Sequence, residues 1–337
     1  MFFNKKLKNI VLNEQEIAKG KIVLKSYPRQ AHVLLNSKCN LRCEMCGICM
    51  DKYSLSDRQF RDLIWLMPYL QLLIIQGGEV FLDDRINEIL KHAVKNRVKI
   101  DLLTNGLLLN KKISKNLVKT GVNLVFSIDS PYKETYESIR CGAKFKKLIN
   151  NIISLNKIRK FKKNNMKTAI NMLVMKKNYK HIKAMIEFAK QYEFNTLILS
   201  SIAGSLPDDR KENFLSIQIN EKIRKKIAAN MTSYKKKAEK NGITLFNHIP
   251  LISVKKTDKD QYPKEQSFCK MPFLRITMDD KFYSPDCRCH NKMKIKKQKS
   301  IFSMWNSRIM QKYRRDVFYF NENNGCKTCF SNLNSDV

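Results

Sequence analysis

Short apolar runs recur along the first two hundred residues, separated by longer stretches of mixed polarity. The runs are "AHVLLN" (31–36), "LQLLIIQ" (70–76), "KIDLLTN" (99–105), "NLVFSID" (123–129), "TAINMLVM" (168–175) and "NTLILSS" (195–201). Near-continuous apolar runs of this length suit strands buried on both faces. The stretch after the first run predicts a helix. Ser56 and Gln59 form a capping-box pattern, Phe60, Leu63, Ile64 and Met67 share one face, and Pro68 ends it. Segments 83–96 and 178–192 have helical length and mixed charge. Six such alternations predict a parallel sheet with right-handed crossovers, either an open doubly wound sheet or part of a barrel.

Beyond residue 201 the pattern changes. "AGSLPDD" reads as a loop, a Lys-rich helical stretch covers about 217–241, and "GITLFN" follows. From about 255 the chain becomes short β-like pieces, turns and cysteines, the pattern of a small metal-supported module. No repeat of solenoid period is present. A chain of 337 residues can hold one large domain and a small one around a full core.

Charge changes this picture little. The 65 Lys and Arg against 30 Asp and Glu leave a net +35, which favours polyanions, acidic membrane surfaces or an acidic redox partner. The lysines are spread over the whole chain, as on ordinary solvated faces, and only residues 292–300, "KMKIKKQKS", form a dense basic tract. The N-terminus lacks an apolar signal core, and the longest apolar run, "LIWLMPYLQLLII", is too short for a bilayer and is broken by Pro68 and Gln71. A soluble, cytoplasmic protein is expected. In that reducing compartment ten cysteines point to metal or redox chemistry rather than a disulfide framework.

Four of them, Cys39, Cys43, Cys46 and Cys49, crowd into "SKCNLRCEMCGICM". Cys39, Cys43 and Cys46 have C-x3-C-x2-C spacing and follow the first expected strand, where parallel folds build active sites. Closely spaced thiolates can reach separate irons of one cluster. Three ligands would leave one iron open, and an open position distinguishes a metal that binds substrate from one that only supports a fold. With Cys49 as fourth ligand the site would be of ferredoxin type. Here, however, the three-residue gap comes first and Met50 follows, unlike the usual ferredoxin run. Zinc ligands normally come as two separated pairs, which this stretch does not supply. In "QGGEVFL", after the second run, Gly77 and Gly78 permit close backbone approach and Glu79 can accept from an ammonium group.

"CNLRCEMC" resembles the cluster loop of the radical S-adenosylmethionine (SAM) enzymes. The resemblance implies that Cys39, Cys43 and Cys46 hold a 4Fe-4S cluster whose fourth iron binds the amino and carboxylate groups of SAM, and that Cys49 is not a ligand. Met45 takes a position that is often aromatic and packs near the adenine, a role its soft thioether can fill. Gly77, Gly78 and Glu79 match the motif that receives the SAM amino group, with Val80 where proline is common. Asn105 and Gly106 match the turn after the third strand. "FSIDSPYKETYESIRCGAKF" resembles the fourth-strand segment and implies that Ser127 contacts SAM and Arg140 reaches its carboxylate. Asp129 is expected to contact substrate or cap the loop, and Cys141 to be a buried or incidental thiol. The glycine-rich motif some members carry at the fifth strand is missing from "TAINMLVMKKN".

The C-terminal region carries Cys269, Cys287, Cys289, Cys326 and Cys329. One four-ligand site leaves one of them surplus, and by residue type zinc and iron-sulfur fit equally. The arrangement resembles the SPASM/Twitch extension, closer to its short form with one auxiliary 4Fe-4S cluster. By that match Cys269, Cys287, Cys326 and Cys329 are the ligands, with Cys287 and Cys289 exchangeable. Asp280 is followed by Lys281 where the family usually has glycine.

The expected architecture is α/β: a 1–30 extension, a partial (β/α)6 barrel of parallel strands over 31–250, and a cysteine-rich iron-sulfur domain over 251–337. The resemblance implies that a low-potential donor of flavodoxin or ferredoxin type delivers one electron. SAM is then cleaved and the resulting radical abstracts hydrogen from a substrate C–H. Few residues precede the first strand, too few for a leader-binding domain, which favours a small polar, sugar-like substrate. A peptide- or protein-modifying maturase is the alternative. A basic iron-sulfur or zinc protein that binds nucleic acid is a third reading, but no interleaved aromatic platform accompanies the charge.

Overall fold

The computed structural model describes residues 2–46, 53–201, 216–249, 269–279, 283–284 and 301–318. Its strands are β1 (Gln30–Leu34), β2 (Leu72–Gln76), β3 (Lys99–Thr104), β4 (Asn123–Ser127), β5 (Thr168–Val174), β6 (Thr196–Ser201), β7 (Thr244–Asn247), β8 (Arg275–Met278) and β9 (Tyr283–Ser284). The helices are α1 (Phe2–Ala18), α2 (Asp57–Leu66), α3 (Ile86–Lys95), α4 (Lys111–Thr120), α5 (Lys133–Ile139), α6 (Phe145–Phe161), α7 (Ile182–Gln191), α8 (Glu221–Lys240), α9 (Met271–Leu274), α10 (Ile301–Trp305) and α11 (Arg308–Phe318). All six apolar runs of the sequence are strands. The helix after β1 starts as its pattern predicts. Ser56 Oγ accepts from the Gln59 backbone N–H, the Gln59 side chain returns a bond to Ser56 N, and a 3-10 turn containing Pro68 follows.

One sheet runs in the order β7-β6-β5-β4-β3-β2-β1-β8-β9, with β1 to β8 parallel and β9 antiparallel. From β1 to β7 spatial order equals chain order, so right-handed crossovers place every connecting helix on the same face. That corrects the expectation of strands buried on both faces. In β1, Ala31 and Val33 are buried beneath the helices while Gln30, His32 and Leu34 on the opposite face are half-exposed, and β2, β5 and β6 alternate in the same way. The half-exposed face lines the open interior of a partial barrel. Its apolar members, such as Leu34, Ile74 and Ile198, made the runs look continuous in sequence.

The sheet also extends past the six expected strands. β7 follows α8 and pairs with β6, while β8 joins the free side of β1 in register Gln30↔Arg275, where Arg275 Nε donates to Gln30 Oε1 at 2.8 Å. The C-terminal region therefore shares the sheet of the core. At the N-terminal ends of the strands the two ends of the chain interlock. The Glu16 carboxylate accepts from Lys25 N and Ser26 N, Asn13 donates to Phe273 O, and Trp305 Nε1 donates to Ser26 O at 2.9 Å. Arg314, fully buried over the Trp305 ring, donates to Pro272 O and Ile22 O. Among the described residues no helix is long and apolar enough to cross a membrane.

Candidate functional site

The cysteine loop leaves the C-terminal end of β1 and is clamped on two sides by backbone. On one side Gly78 N donates to Asn36 O at 2.6 Å and Glu79 N to Lys38 O at 2.7 Å. A Cβ on Gly77 would stand 2.4 Å from Asn36 O, and one on Gly78 would stand 2.1 Å from Lys38 O. The close approach these glycines allow is thus occupied by the root of the cysteine loop itself. On the other side Arg42 N donates to Cys141 O and Glu44 N to Ile139 O, and Lys177 Nζ pairs with Glu44 at 2.6 Å. Residues 36–44 of the loop are thus held by backbone bonds and one ion pair.

Donors converge on its sulfurs. Leu41 N lies 3.4 Å from Cys39 Sγ, Asn105 Nδ2 lies 3.9 Å from the same sulfur, and Arg140 Nη1 lies 3.8 Å from Cys43 Sγ. Burial pushes the Cys43 thiol up to about 11; Arg140 opposes the shift, and the nearby thiols of Cys46 and Cys39 add to it. The three thiols therefore sit within each other's electrostatic reach in a half-buried pocket. Among the described residues no three His, Cys, Asp or Glu side chains converge on one metal ion. A cubane asks for something wider, since each thiolate takes a different iron, and it is tuned by hydrogen bonds to sulfur. Three thiols with N–H donors already aimed at two of them suit such a cluster. Cys49 lies outside the described residues.

The other expected site residues gather around this loop. Glu79 is fully buried. Its carboxylate accepts from Thr104 Oγ1 at 2.7 Å, Asn105 N at 2.8 Å and Phe81 N at 3.4 Å, and burial raises its pKa against those bonds. Ser127 ends β4 on the half-exposed face, opposite Asn171, which accepts from Ser200 Oγ at 2.7 Å. Met45 is half-buried in the turn between Cys43 and Cys46. Arg140 is buried, and its Nε lies 2.8 Å from Asp129 Oδ2. Burial opposes the charge on Arg140, but Asp129 and Cys43 outweigh it and hold the guanidinium above the ordinary arginine range. Asp129 is fully buried, accepts from Leu173 N at 2.9 Å, and has its pKa raised by desolvation, with Arg140 opposing. Its carboxylate thus caps the end of β5.

Two features escaped the sequence reading. Asn105 is more than a turn residue, because its side chain bonds Asn40 Oδ1 at 2.9 Å inside the cysteine loop. Tyr136, on α5 one turn before Arg140, has a fully buried hydroxyl without a hydrogen-bond partner among the described residues, and burial raises its pKa. Only the one-turn spacing of Tyr136 and Arg140 signalled this in the sequence. Cys141 differs from a buried thiol: its side chain is exposed and its Sγ lies 3.6 Å from Ser138 O. Of the C-terminal cysteines, Cys269 is half-buried just before α9, whereas Cys287, Cys289, Cys326 and Cys329 lie outside the described residues.

A partial parallel barrel with a braced three-thiol loop at the C-terminal end of its first strand is the arrangement the sequence reading expects of an iron-sulfur enzyme domain. Residues 33–189 match the Radical SAM superfamily, and this chain carries a radical SAM domain there. Over 91% of the chain the fold is similar to Streptococcus suis SuiB bound to its precursor peptide SuiA, with TM-score 0.66, 15% identity and 70% of SuiB covered. It is also similar to anSMEcpe with bound S-adenosylmethionine, with TM-score 0.51, 20% identity, 65% of this chain and 63% of that one. In sequence, 121 residues are 33% identical to AlbA, the subtilosin biosynthesis protein of Bacillus subtilis, covering 34% of this chain and 27% of AlbA. A cofactor-modifying protein for the tungsten-containing aldehyde ferredoxin oxidoreductase of Pyrococcus furiosus is 23% identical over 52% of this chain and 51% of its own length. The chain thus spans about a quarter to a half of these two curated relatives.

Proposed function

We propose that this chain is a radical SAM enzyme that modifies a peptide or protein side chain. The observation that carries the reading is the braced Cys39, Cys43, Cys46 loop at the mouth of a fold similar, over most of the chain, to an enzyme bound to its precursor peptide. AlbA, named for bacteriocin biosynthesis, and anSMEcpe, solved with bound peptides, favour the same substrate class over the sugar-like molecule expected from sequence. The Pyrococcus relative, named for cofactor modification, keeps a small-molecule substrate as the second reading.

In this reading Cys39, Cys43 and Cys46 hold a 4Fe-4S cluster and leave one iron to SAM. When bound, the cluster and SAM supply one-electron cleavage to methionine and a 5'-deoxyadenosyl radical. The chain's own residues hold and shield. Glu79, with three of its roughly four acceptor positions used, would keep one for the SAM ammonium, while Gly77 and Gly78 bring the cysteine loop against it. Ser127 sits on the interior face, Met45 would pack on the adenine, and Arg140 would reach the carboxylate. The interior row of Ser127, Asn171 and Ser200 lies at the strand ends nearest the cysteine loop and offers polar groups suited to orienting a peptide amide. Cys269, Cys287, Cys326 and Cys329 are assigned to an auxiliary 4Fe-4S cluster, with Cys289 able to replace Cys287. A flavodoxin- or ferredoxin-type protein donates the electron.

The test of substrate class is co-expression with short open reading frames flanking the gene, followed by peptide mass spectrometry. Loss of a hydrogen pair from one peptide, absent with a Cys43→Ala variant, is expected. Unmodified peptides together with turnover of a sugar or other metabolite would reject the peptide reading.

A further inference from the structure

The buried ion pair between Asp129 and Arg140 has no partner in solvent and no need of one for folding the loop, which backbone bonds already hold. What distinguishes it is direction. Arg140 projects from the end of α5 so that Nε meets Asp129 Oδ2 at 2.8 Å while Nη1 points to Cys43 Sγ at 3.8 Å. Asp129 is in turn fixed from behind. Leu173 N donates to its Oδ1, and Asn178 Nδ2 donates to its backbone oxygen and to Leu173 O. The guanidinium therefore cannot swing away from the thiolate without leaving a buried carboxylate alone, a costly state. A fixed positive group sits against one ligand sulfur, and a fixed negative group sits behind it.

Reduction adds one electron to a cluster and lowers its charge by one. A buried cation at a ligand sulfur stabilises the reduced form and raises the potential, and an anion behind that cation pulls the potential back. We infer that the Asp129–Arg140 pair sets the reduction potential of the cluster held by Cys39, Cys43 and Cys46, with Arg140 as the raising and Asp129 as the moderating group. Asp129 acts through Arg140 and is a positioning residue. The inference rests on the assignment of the cluster to those three cysteines. It adds to the role of Arg140 at the SAM carboxylate, because Nη2 is not used by either contact.

The experiment is an EPR-monitored redox titration of anaerobically reconstituted protein without SAM. Subtracting the spectrum of a Cys39→Ala/Cys43→Ala/Cys46→Ala variant isolates this cluster from any other. If the triple variant keeps all its iron, the cluster assignment fails, independently of any potential. With the assignment intact, Asp129→Asn, which keeps the size and the bond from Leu173 N, is expected to shift the midpoint upward. Arg140→Gln is expected to shift it downward, Arg140→Lys to stay near the parent value, and the double variant to fall between the singles. Shifts of the same sign in both singles, or an unmoved midpoint in Asp129→Asn at full iron content, would overturn the inference. If Arg140→Gln fails to load iron, Asp129→Asn and Arg140→Lys still decide it. An upward shift in the first with none in the second supports it, and any other pairing refutes it.

Discussion

Cys39, Cys43 and Cys46 share a loop but not an environment. Cys39 is approached by two nitrogen donors, Cys43 by a guanidinium, and the segment that returns from the loop is held by a separate charged brace. In that brace Arg85 donates to Leu55 O at 2.6 Å, to Ser54 Oγ at 2.6 Å and to Asp83 Oδ2 at 2.8 Å, while Ser54 bridges to Asn36 at the root of the loop. Burial raises the Asp83 carboxyl, but Arg85 outweighs it and holds the pKa below the ordinary value. A carboxyl depressed in the folded state stabilises above its unfolded pKa, about 3.9, and that contribution fades as pH falls through the lower folded value. Asp83→Asn is therefore expected to cost about 1–2 kcal/mol at pH 7, with the gap to the parent closing below about pH 4. Urea unfolding across a pH series measures this; a gap that persists undiminished into acid would show that the charge is not the cause. The three thiols were legible from spacing alone. Asp129 and Asn105 were not, because their contacts span 11 and 65 or more positions and depend on which strand ends come together.

At the scale of elements, the junction of β1 and β2 decides whether the site exists. Their parallel register continues past the strands as Leu35 N to Gln76 O at 2.7 Å, then Gly78 N to Asn36 O and Glu79 N to Lys38 O, so the second strand's loop writes the course of the first. Gly78→Ala places a methyl 2.1 Å from a backbone carbonyl that has nowhere to retreat, and is expected to cost roughly 3 kcal/mol or more and most of the bound iron. Gly121 is the control. It caps α4 at φ +68° with no atom of the described residues within 4 Å of a built Cβ, so Gly121→Ala is expected to cost only about 1 kcal/mol of backbone strain and keep full iron. Iron assay with urea unfolding checks both, and equal losses would mean the junction has no special role. The strands themselves could be read from their apolar runs and the first helix from Ser56 and Gln59. β8 could not, since four residues carry little periodicity and its partner β1 lies about 245 positions away, as in Gln30 and Arg275.

For the molecule as a whole, one sheet joins the radical SAM domain to the C-terminal region, and segments 13–26 and 272–314 interlock beneath it through Glu16, Trp305 and Arg314. If the C-terminal cysteines hold an auxiliary cluster, anaerobically reconstituted protein is expected to carry about eight irons per chain. About four with one zinc would remove the auxiliary cluster while leaving the first intact. The central claim, that Cys39, Cys43 and Cys46 form the working centre, meets its most direct test in 5'-deoxyadenosine itself. Reconstituted protein is incubated anaerobically with SAM and a low-potential reductant, and the product is quantified by liquid chromatography. Parent protein and Cys49→Ala are expected to release 5'-deoxyadenosine, and alanine at any of the other three to abolish it. Release that survives Cys39→Ala, Cys43→Ala or Cys46→Ala, or that disappears in a folded Cys49→Ala, would contradict the account.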